Sequence, residues 1–299
     1  KEILHTFEVK TTSTELNVKP EHLMKKTLFF PLLTAALFST AAASAQTQMT
    51  RQTRFEGQNI TGIAAGNNFD VELYQSDKTS ASIEIPAELE KKLIFNIDGN
   101  GVVTLGLTGN FLSKKQDDLK AKIYLKNLKS LKASSNAEIK AMTPFTAASV
   151  VIDLSSSGKI DDLELTASER VVIDAKSSGE IDATITTPLL RADLTSSADG
   201  EIVHNGAQGV FNLGSSAELT ISGKVGEVTV TTSSASGFHG ENYTIDKATL
   251  KASSTSRITV GDVQTLSAQA SSAAGIRYKG DPKITSLDTS SAGSIKKLD

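Results

Sequence analysis

The sequence predicts an all-β fold in which a single-stranded β-solenoid of about nine short coils follows a layer of antiparallel β-hairpins. Three observations predict this class. Apolar and polar residues alternate along the chain after residue 54, no segment combines helix caps with a 3.6-residue period, and a serine-pair motif recurs nine times. We therefore expect residues 54–130 to form the hairpin layer and residues 131–299 to form the coils.

The hairpin layer is predicted from short alternating runs that are separated by turn residues. Phe69, Val71 and Leu73 share one face of such a run. Residues 98–101, with the sequence DGNG, separate two apolar runs and are typical of a hairpin turn. Only residues 86–93 have the composition of a short helical turn, so this region is expected to be almost entirely β-sheet.

The coils are predicted from the serine-pair motif, whose copies lie 18 to 21 residues apart. One strand per copy, with a glycine-containing turn about half a copy later, is typical of a solenoid in which each coil stacks on the previous one. The copies are LKASSNAEI from Leu131, IDLSSSGKI from Ile152, IDAKSSGEI from Ile173, ADLTSSADGEI from Ala192, FNLGSSAEL from Phe211, VTVTTSSASGF from Val228, LKASSTSRI from Leu250, LSAQASSAAGI from Leu266 and LDTSSAGSI from Leu287.

One serine of each pair is predicted to face the interior. Side chains alternate between the two faces of a strand, so Leu250, Ala252, Ser254 and Ile258 should share a side. Inward hydroxyls of successive coils could donate and accept hydrogen bonds in one column, which would satisfy groups that are costly to bury alone. The predicted structural column consists of Ser135, Ser156, Ser177, Ser196, Ser215, Ser234, Ser254, Ser272 and Ser291.

The N-terminal residues predict an exported protein. Residues 24–45 contain two lysines, an apolar run and the small residues Ala43, Ser44 and Ala45, which together are typical of a cleaved signal peptide. Residues 1–23 would then be a mistranslated upstream segment, and residues 46–53 a short linker. A membrane anchor is the weaker alternative, because the apolar run is shorter than the ~20 residues that a span needs. We expect a periplasmic or cell-surface location and no membrane span in the mature chain.

Composition excludes several classes of function. The sequence has no cysteine, so neither disulfides nor thiolate metal sites can stabilise it. Its formal net charge of -3 predicts no affinity for nucleic acid. The lysine-rich residues 114–132 are a local exception, for which we favour a solvated sheet face and loop over a polyanion-binding patch.

No catalytic, cofactor-binding or metal-binding residue is predicted. The acidic groups Asp117–Asp118, Asp161–Asp162 and Asp199 with Glu201 show no partner acid in phase in the adjoining coil, and surface solvation explains each. His204 and His239 each precede a turn glycine and are expected to be surface residues. The aromatic candidates for a sugar platform are Tyr74, Tyr124, Tyr243 and Tyr278, of which Tyr124 and Tyr278 are expected to face outward.

The order of these features resembles a bacterial envelope family, the putative auto-transporter adhesin, head GIN domain. The resemblance rests on FDVELYQSD at residues 69–77, the following SASIEI, the DGNGVVTLGL hairpin and the serial serine-pair coils. It covers the chain from about Phe55 to the C-terminus. It implies a right-handed β-solenoid with an N-terminal β-layer and an adhesin-like role.

Three functions from different classes follow. The first, which we favour, is a non-catalytic envelope module that binds a polymer or protein partner through a broad solenoid face. The second is a carbohydrate-active enzyme on a β-helix, which paired acids would favour. The third is an envelope scaffold that self-associates as a homo-oligomer through an exposed coil end, because the last copy ends close to residue 299.

Overall fold

The structure, a computed structural model, describes residues 48–109 and 119–298. The described residues are almost all β-strand, with one short 3-10 helix at Ala87–Lys92. The predicted signal peptide, the upstream segment and the pair Asp117–Asp118 lie outside the described residues.

The first seven strands belong to the N-terminal region. They are β1 (Met49–Arg54), β2 (Gly62–Ala65), β3 (Asp70–Gln75), β4 (Ser80–Pro86), β5 (Leu93–Ile97), β6 (Val102–Leu107) and β7 (Lys120–Leu125).

The other twelve strands form the stack of coils. They are β8 (Ser130–Ser134), β9 (Glu138–Ala141), β10 (Phe145–Ser155), β11 (Lys159–Ala175), β12 (Glu180–Leu194), β13 (Asp199–Leu213), β14 (Glu218–Thr232), β15 (Gly237–Ala252), β16 (Arg257–Ala270), β17 (Gly275–Lys279), β18 (Lys283–Thr289) and β19 (Ser294–Lys297).

Parallel pairing between successive coils confirms the predicted β-solenoid. β11 pairs with β12, β12 with β13, and so on to β16, each in parallel register. Inward residues from before and after the turns meet in one apolar core, where Phe211 lies 5.4 Å from Phe238 between ring centroids. Burial alternates along each strand because successive side chains point to opposite faces. The core therefore runs the length of the stack.

The predicted inward serine column is wrong, because these serines occupy the turns that separate the strand segments. Each serine has a φ between 46° and 55°, and the residue that follows it has a φ between 59° and 64°. Two successive left-handed residues reverse the chain, so the alternation of faces does not apply across them. All nine predicted residues are exposed: Ser135, Ser156, Ser177, Ser196, Ser215, Ser234, Ser254, Ser272 and Ser291.

The backbone, rather than the hydroxyl groups, joins these turns into a column. The amide of Ser157 donates to the carbonyl oxygen of Ser177 at 3.0 Å, and the amide of Ser178 donates to that of Ser196 at 3.1 Å. The residue after each pair faces the core and is small. A Cβ atom on Gly158 would lie 2.1 Å from the carbonyl oxygen of Ala133. Each serine pair is thus an exposed corner that is closed by main-chain hydrogen bonds.

The solenoid begins earlier than the sequence predicted. Asn67 and Asn68 form a left-handed turn with φ values of 55° and 60°, and the amide of Asn68 donates to the carbonyl oxygen of Ser135. β2 and β3 on either side of this turn pair in parallel with β8 and β9. β6 and β7 pair in parallel with the other edges of β2 and β3. Residues 54–130 therefore contribute two coils to the stack as well as antiparallel strands.

The antiparallel strands close the N-terminal end of the stack. β5 pairs with β6, β4 pairs with β7, and β1 pairs with β4, all antiparallel. Their inward side chains include Ile83, Ile85 and Phe95, which are 3%, 0% and 5% exposed. We call β1, β4 and β5 the N-terminal cap. It is the part of the predicted hairpin layer that the structure confirms.

The C-terminal end of the described stack has no equivalent cap. β18 pairs with β16 and β19 pairs with β17, and no described strand pairs with their outer edges. Ile284 and Leu287, which lie over core positions of β16, are 42% and 43% exposed. Among the described residues, no helix is long and apolar enough to cross a membrane.

Candidate functional site

The segments that follow the turns form one sheet, whose outward side we call the front face. Its outward positions fall into columns because the coils are in register. The first column contains Lys120, Asp70, Glu138, Lys159, Glu180, Asp199, Glu218, Gly237, Arg257, Gly275 and Ser294 in stack order. The second contains Lys122, Glu72, Lys140 and Asp161 and, beyond an irregularity between β11 and β12, Asp182, Glu201, Thr220, His239, Thr259, Arg277 and Lys296.

Acidic residues do recur in phase on this face, which corrects the sequence-based expectation. Glu180 lies beside Asp199, which lies beside Glu218, and Asp182 lies beside Glu201. We call these five residues the acidic ladder. The sequence contained this signal, because Glu180, Asp199 and Glu218 each lie three residues after the repeated serine of their copy.

The acidic ladder perturbs the titration of its members. Burial, and then repulsion from Glu201, raise the pKa of Asp182. Burial also raises the pKa of Asp199, with further contributions from Glu180 and Glu218. Adjacent carboxylates disfavour each other's charged form, so this part of the face takes up protons more readily than isolated acids do.

Asp161 and Asp162 are held in ion pairs at the edge of this ladder. Lys159 Nζ lies 2.9 Å from Asp161, and Lys140 Nζ lies 2.8 Å from Asp162. Asp162 has a φ of 54° at an irregularity in β11. Burial, followed by repulsion from Asp161, raises the pKa of Glu138. These contacts make the two aspartates part of a charged network.

No group of three or more His, Asp or Glu residues in the described ranges is arranged to hold a metal ion. His239, expected at a surface turn, lies within β15 with Nε2 2.8 Å from a carboxylate oxygen of Glu218. This pair extends the acidic ladder by one coil.

A groove of about 400 Å³ lies at the N-terminal end of the front face. Val71, Ile83 and Ala121 also line it, although their side chains point into the core on the other side of the sheet. Strands β1, β4, β7, β3 and β9 provide its walls. We call it the cap groove, and the charged residues that line it are Arg51, Asp70, Glu72, Glu84, Lys120, Lys122, Glu138 and Lys140.

Charges of opposite sign alternate across the cap groove. Arg51 and Glu84 form an ion pair at 2.8 Å, as do Lys122 and Glu72. The hydrogen bond from Lys122 lowers the pKa of Glu72, and the hydrogen bond from Arg51 lowers that of Glu84. Lys120 forms no ion pair among the described residues. The groove therefore offers both carboxylates and ammonium groups at short spacing.

A pair of stacked tyrosines borders the cap groove. The rings of Tyr74 and Tyr124 lie 4.7 Å apart with an interplanar angle of 12°. The hydroxyl of Tyr74 donates to a carboxylate oxygen of Glu72 at 2.7 Å. Tyr124 faces outward as expected, whereas the expectation for Tyr278 is wrong, because Tyr278 is partly buried against the core. The structure thus joins an aromatic surface to the charged groove.

Two further sequence-predicted candidates lie in the core. His204, expected on the surface, is 0% exposed, and its Nδ1 lies 2.5 Å from the hydroxyl of Tyr243, which is also 0% exposed. Nε2 of His204 has no hydrogen-bond partner among the described atoms. Burial lowers the pKa of His204 to about 4, and the nearby carbonyl of Thr187 opposes this shift only in part. The pair is a neutral polar element of the middle coils.

The lysine-rich segment is largely neutralised where it is described. Lys122, Lys126 and Lys132 pair with Glu72, Asp77 and Asp153 at 2.8 to 3.1 Å. These pairs fit the predicted solvated sheet face better than a polyanion-binding patch. Lys114 and Lys115 lie outside the described residues.

Sequence reasoning missed most of the cap groove. Arg51 lies in the segment that was assigned to a linker, and Glu72 and Glu84 were not among the candidate residues. The available signal was the alternation of MTRQTR at Met49–Arg54, which continues the strand pattern into the expected linker. Which strand it joins could not be read from the sequence.

Comparison with known proteins identifies relatives of this architecture. The sequence profile described as "Putative auto-transporter adhesin, head GIN domain" matches residues 59–203 and 172–282. Comparison with curated proteins finds no match.

Solved structures share the fold. A "putative adhesin" from Parabacteroides distasonis is similar with a TM-score of 0.62 and 17% identity, over 84% of this chain and 97% of that one. A "putative adhesin" from Parabacteroides merdae gives a TM-score of 0.62 and 16% identity over the same shares. A "Putative lipid binding protein" from Parabacteroides distasonis gives 0.59 and 20%, again over 84% and 97%. At these identities the likeness establishes the fold alone.

Proposed function

Because the chain belongs to the family described as "Putative auto-transporter adhesin, head GIN domain", we propose that it is a non-catalytic, adhesin-like binding module of the cell envelope. Its ligand is an extended polymer rich in hydroxyl and charged groups, such as an envelope glycan. The signal-peptide pattern of residues 24–45 supports export to the periplasm or cell surface.

The cap groove is the observation that carries this proposal. Its paired charges and the neighbouring tyrosine rings provide two kinds of contact that a sugar polymer can use. Ligand pockets typically join apolar walls to a few placed polar groups. Ammonium and carboxylate groups bind hydroxyls through charge-assisted hydrogen bonds, which are stronger than neutral ones.

The regular front face supports binding of a polymer rather than of a small molecule. Successive coils repeat at ~4.8 Å, so outward side chains form rows of fixed spacing. Several weak contacts along one chain add through proximity once the first has formed. The cap groove then anchors one part of the polymer, and the columns of the front face hold the rest.

The proposal is tested by titrating the full chain with purified envelope polysaccharides and measuring affinity by calorimetry. We expect Lys122→Ala to weaken binding by about fivefold or more, as loss of one charged hydrogen bond does. Lys247→Ala is the matched control, because the Lys247–Glu227 pair has the same 2.8 Å distance and similar exposure but lies outside the groove. Equal affinity of both variants would place the contact elsewhere and contradict the assignment.

A carbohydrate-active enzyme is the second candidate, favoured by the in-register pair Asp182 and Glu201. The raised pKa of Asp182 is the property that a general acid needs beside an ionised partner. Turnover of a glycan that is abolished by Asp182→Asn or Glu201→Gln, and kept by Lys122→Ala, would support this function over simple binding. Unchanged glycan lengths after incubation with the wild-type chain would count against it.

A further inference from the structure

The open end of the stack presents an unpaired strand with apolar side chains. β18 pairs with β16 on one side, and no described strand pairs with its other side. Ile284 lies opposite Leu266, and Leu287 lies opposite Ala268, so both point toward the core while remaining largely exposed. An edge of this kind is a template for pairing with another strand.

A bulge makes the pattern of β18 symmetric. The register shifts by one residue at Thr285, so Ile284 and Leu287 face inward although they are three positions apart. Lys283 and Asp288, at the flanking positions, both face outward. Read from either end, β18 therefore presents a charged residue, an apolar residue, two polar residues, an apolar residue and a charged residue.

We propose that two copies of the chain join end to end through β18, as an antiparallel strand pair related by a two-fold axis between Thr285 and Ser286. In this register, Ile284 faces Leu287 of the second copy, and Lys283 faces Asp288 of the second copy. Opposed side chains in antiparallel pairs point to the same face, so both matches keep apolar groups inside and charges outside. Each match occurs twice because the interface is isologous.

The charged residues of β18 favour pairing with β18 of a second copy over pairing with another strand. Lys283 and Asp288 form no ion pair with the described residues of their own chain, and Asp288 accepts a hydrogen bond only from the nearby Ser286 hydroxyl. Directly opposed charges of opposite sign stabilise strand pairs, whereas like charges destabilise them. β19 instead carries Lys296 and Lys297 close together, so we assign the contact to β18.

The isologous geometry limits this association to a dimer. Each β18 edge is paired with the β18 edge of the other copy, so the contact is complete after two copies. The dimer would carry two front faces and two cap grooves at a fixed separation.

Sedimentation velocity of the full chain, up to about 200 µM so that micromolar interfaces are populated, measures this equilibrium. We expect monomer and dimer with no larger species. Lys283→Asp or Asp288→Lys should each weaken dimerisation by about tenfold or more, because like charges would then oppose each other twice. An equimolar mixture of the two variants should restore the dimer, since each then supplies the charge that the other lacks.

The control is Lys251→Asp, an exposed position in β15 two coils from the edge, in the same column as Asp288. It changes the net charge as Lys283→Asp does and should leave dimerisation unchanged. A wild-type chain that stays monomeric overturns the proposal. So does a dimer that the two edge variants do not weaken, and so does a mixture that fails to restore it. Growth beyond the dimer would overturn the closed arrangement.

Discussion

At the N-terminal end of the solenoid, the chain changes strand direction and covers its own edge, whereas at the C-terminal end the last described coil continues the parallel pattern. The N-terminal cap buries Ile85 completely. At the other end, Ile284 occupies a similar inward position and is 42% exposed. Isoleucine is thus buried at the N-terminal end and leaves exposed apolar surface at the C-terminal end.

The difference shows that a stack of similar coils cannot cover its own ends. Parallel pairing satisfies each coil only through its two neighbours, so the terminal coils keep an unpaired edge and half of an apolar layer. Antiparallel strands from outside the repeat cover the apolar layer at one end. At the other end, we expect either local opening or association with a second copy.

The largest expected effect compares the same substitution at the two ends. Ile85→Ala should lower the free energy of unfolding by about 2 to 5 kcal/mol, because it leaves a cavity under the cap. Ile284→Ala should cost less than about 1 kcal/mol, because the side chain is already largely exposed. Urea denaturation monitored by circular dichroism gives both values. Equal costs would mean that the C-terminal end is covered as well as the N-terminal end.

Burial of His204 in the middle coils should make the free energy of unfolding depend on pH. The pKa of buried His204 is lowered from its ordinary 6.5 to about 4, so between these values the unfolded chain binds a proton that the folded chain does not. Stability must therefore fall as pH decreases through this window, by about 2 kcal/mol between pH 7 and pH 5. Denaturation across this range should show the loss in the wild type. The double variant His204→Leu with Tyr243→Phe should lack it.

Removal of one hydroxyl distinguishes the middle of the stack from its open end. Tyr243→Phe leaves Nδ1 of His204 buried without a hydrogen-bond partner and should cost about 1 to 3 kcal/mol. Tyr278→Phe, beside the open end, should cost less than about 0.5 kcal/mol, because its hydroxyl has no hydrogen-bond partner among the described residues. Thermal melting of the two variants compares them, and similar shifts would contradict the buried pair.

The serine turns should become less sensitive toward the open end. Ser215→Val places a β-branched residue at a φ of 52° and should cost about 1 to 2 kcal/mol. Ser291→Val imposes the same strain at a φ of 46°, but the last coil can open without the rest, so the cost should be smaller. Ser215→Gly should be neutral or slightly stabilising. A destabilising glycine would show that the serine side chain matters more than its backbone.

The smallest expected effects concern the melting temperature of variants at two carboxyl groups, Asp182 in the acidic ladder and Asp77 between β3 and β4. Folding raises the pKa of Asp182, so this carboxyl favours the folded state at low pH and loses that contribution as pH rises past its ordinary range. Asp182→Asn should therefore raise the melting temperature slightly at pH 7 and not at pH 3. Asp77→Asn should have the opposite sign at pH 7, because the hydrogen bond from Lys126 lowers the pKa of Asp77. Scanning calorimetry at both pH values measures the two signs.

The sequence by itself determined the fold class and the repeat. Alternation of apolar and polar residues, the spacing of the serine pairs and the small residues after them are local properties, and each acts through backbone geometry within one coil. They predicted strands and a stack, but they placed the turns at glycines such as Gly206 and Gly240, which lie within β13 and β15, rather than at the serines.

Only the tertiary structure decided where individual side chains point and meet. Two consecutive left-handed residues put Ser234 outside, although the alternation of the preceding strand placed it inside. The core surrounds His204 although a glycine follows two residues later. The order of the first coils and the N-terminal cap depend on pairing between distant strands. Local patterns cannot specify these features, because register and burial arise from contacts between segments that the sequence separates.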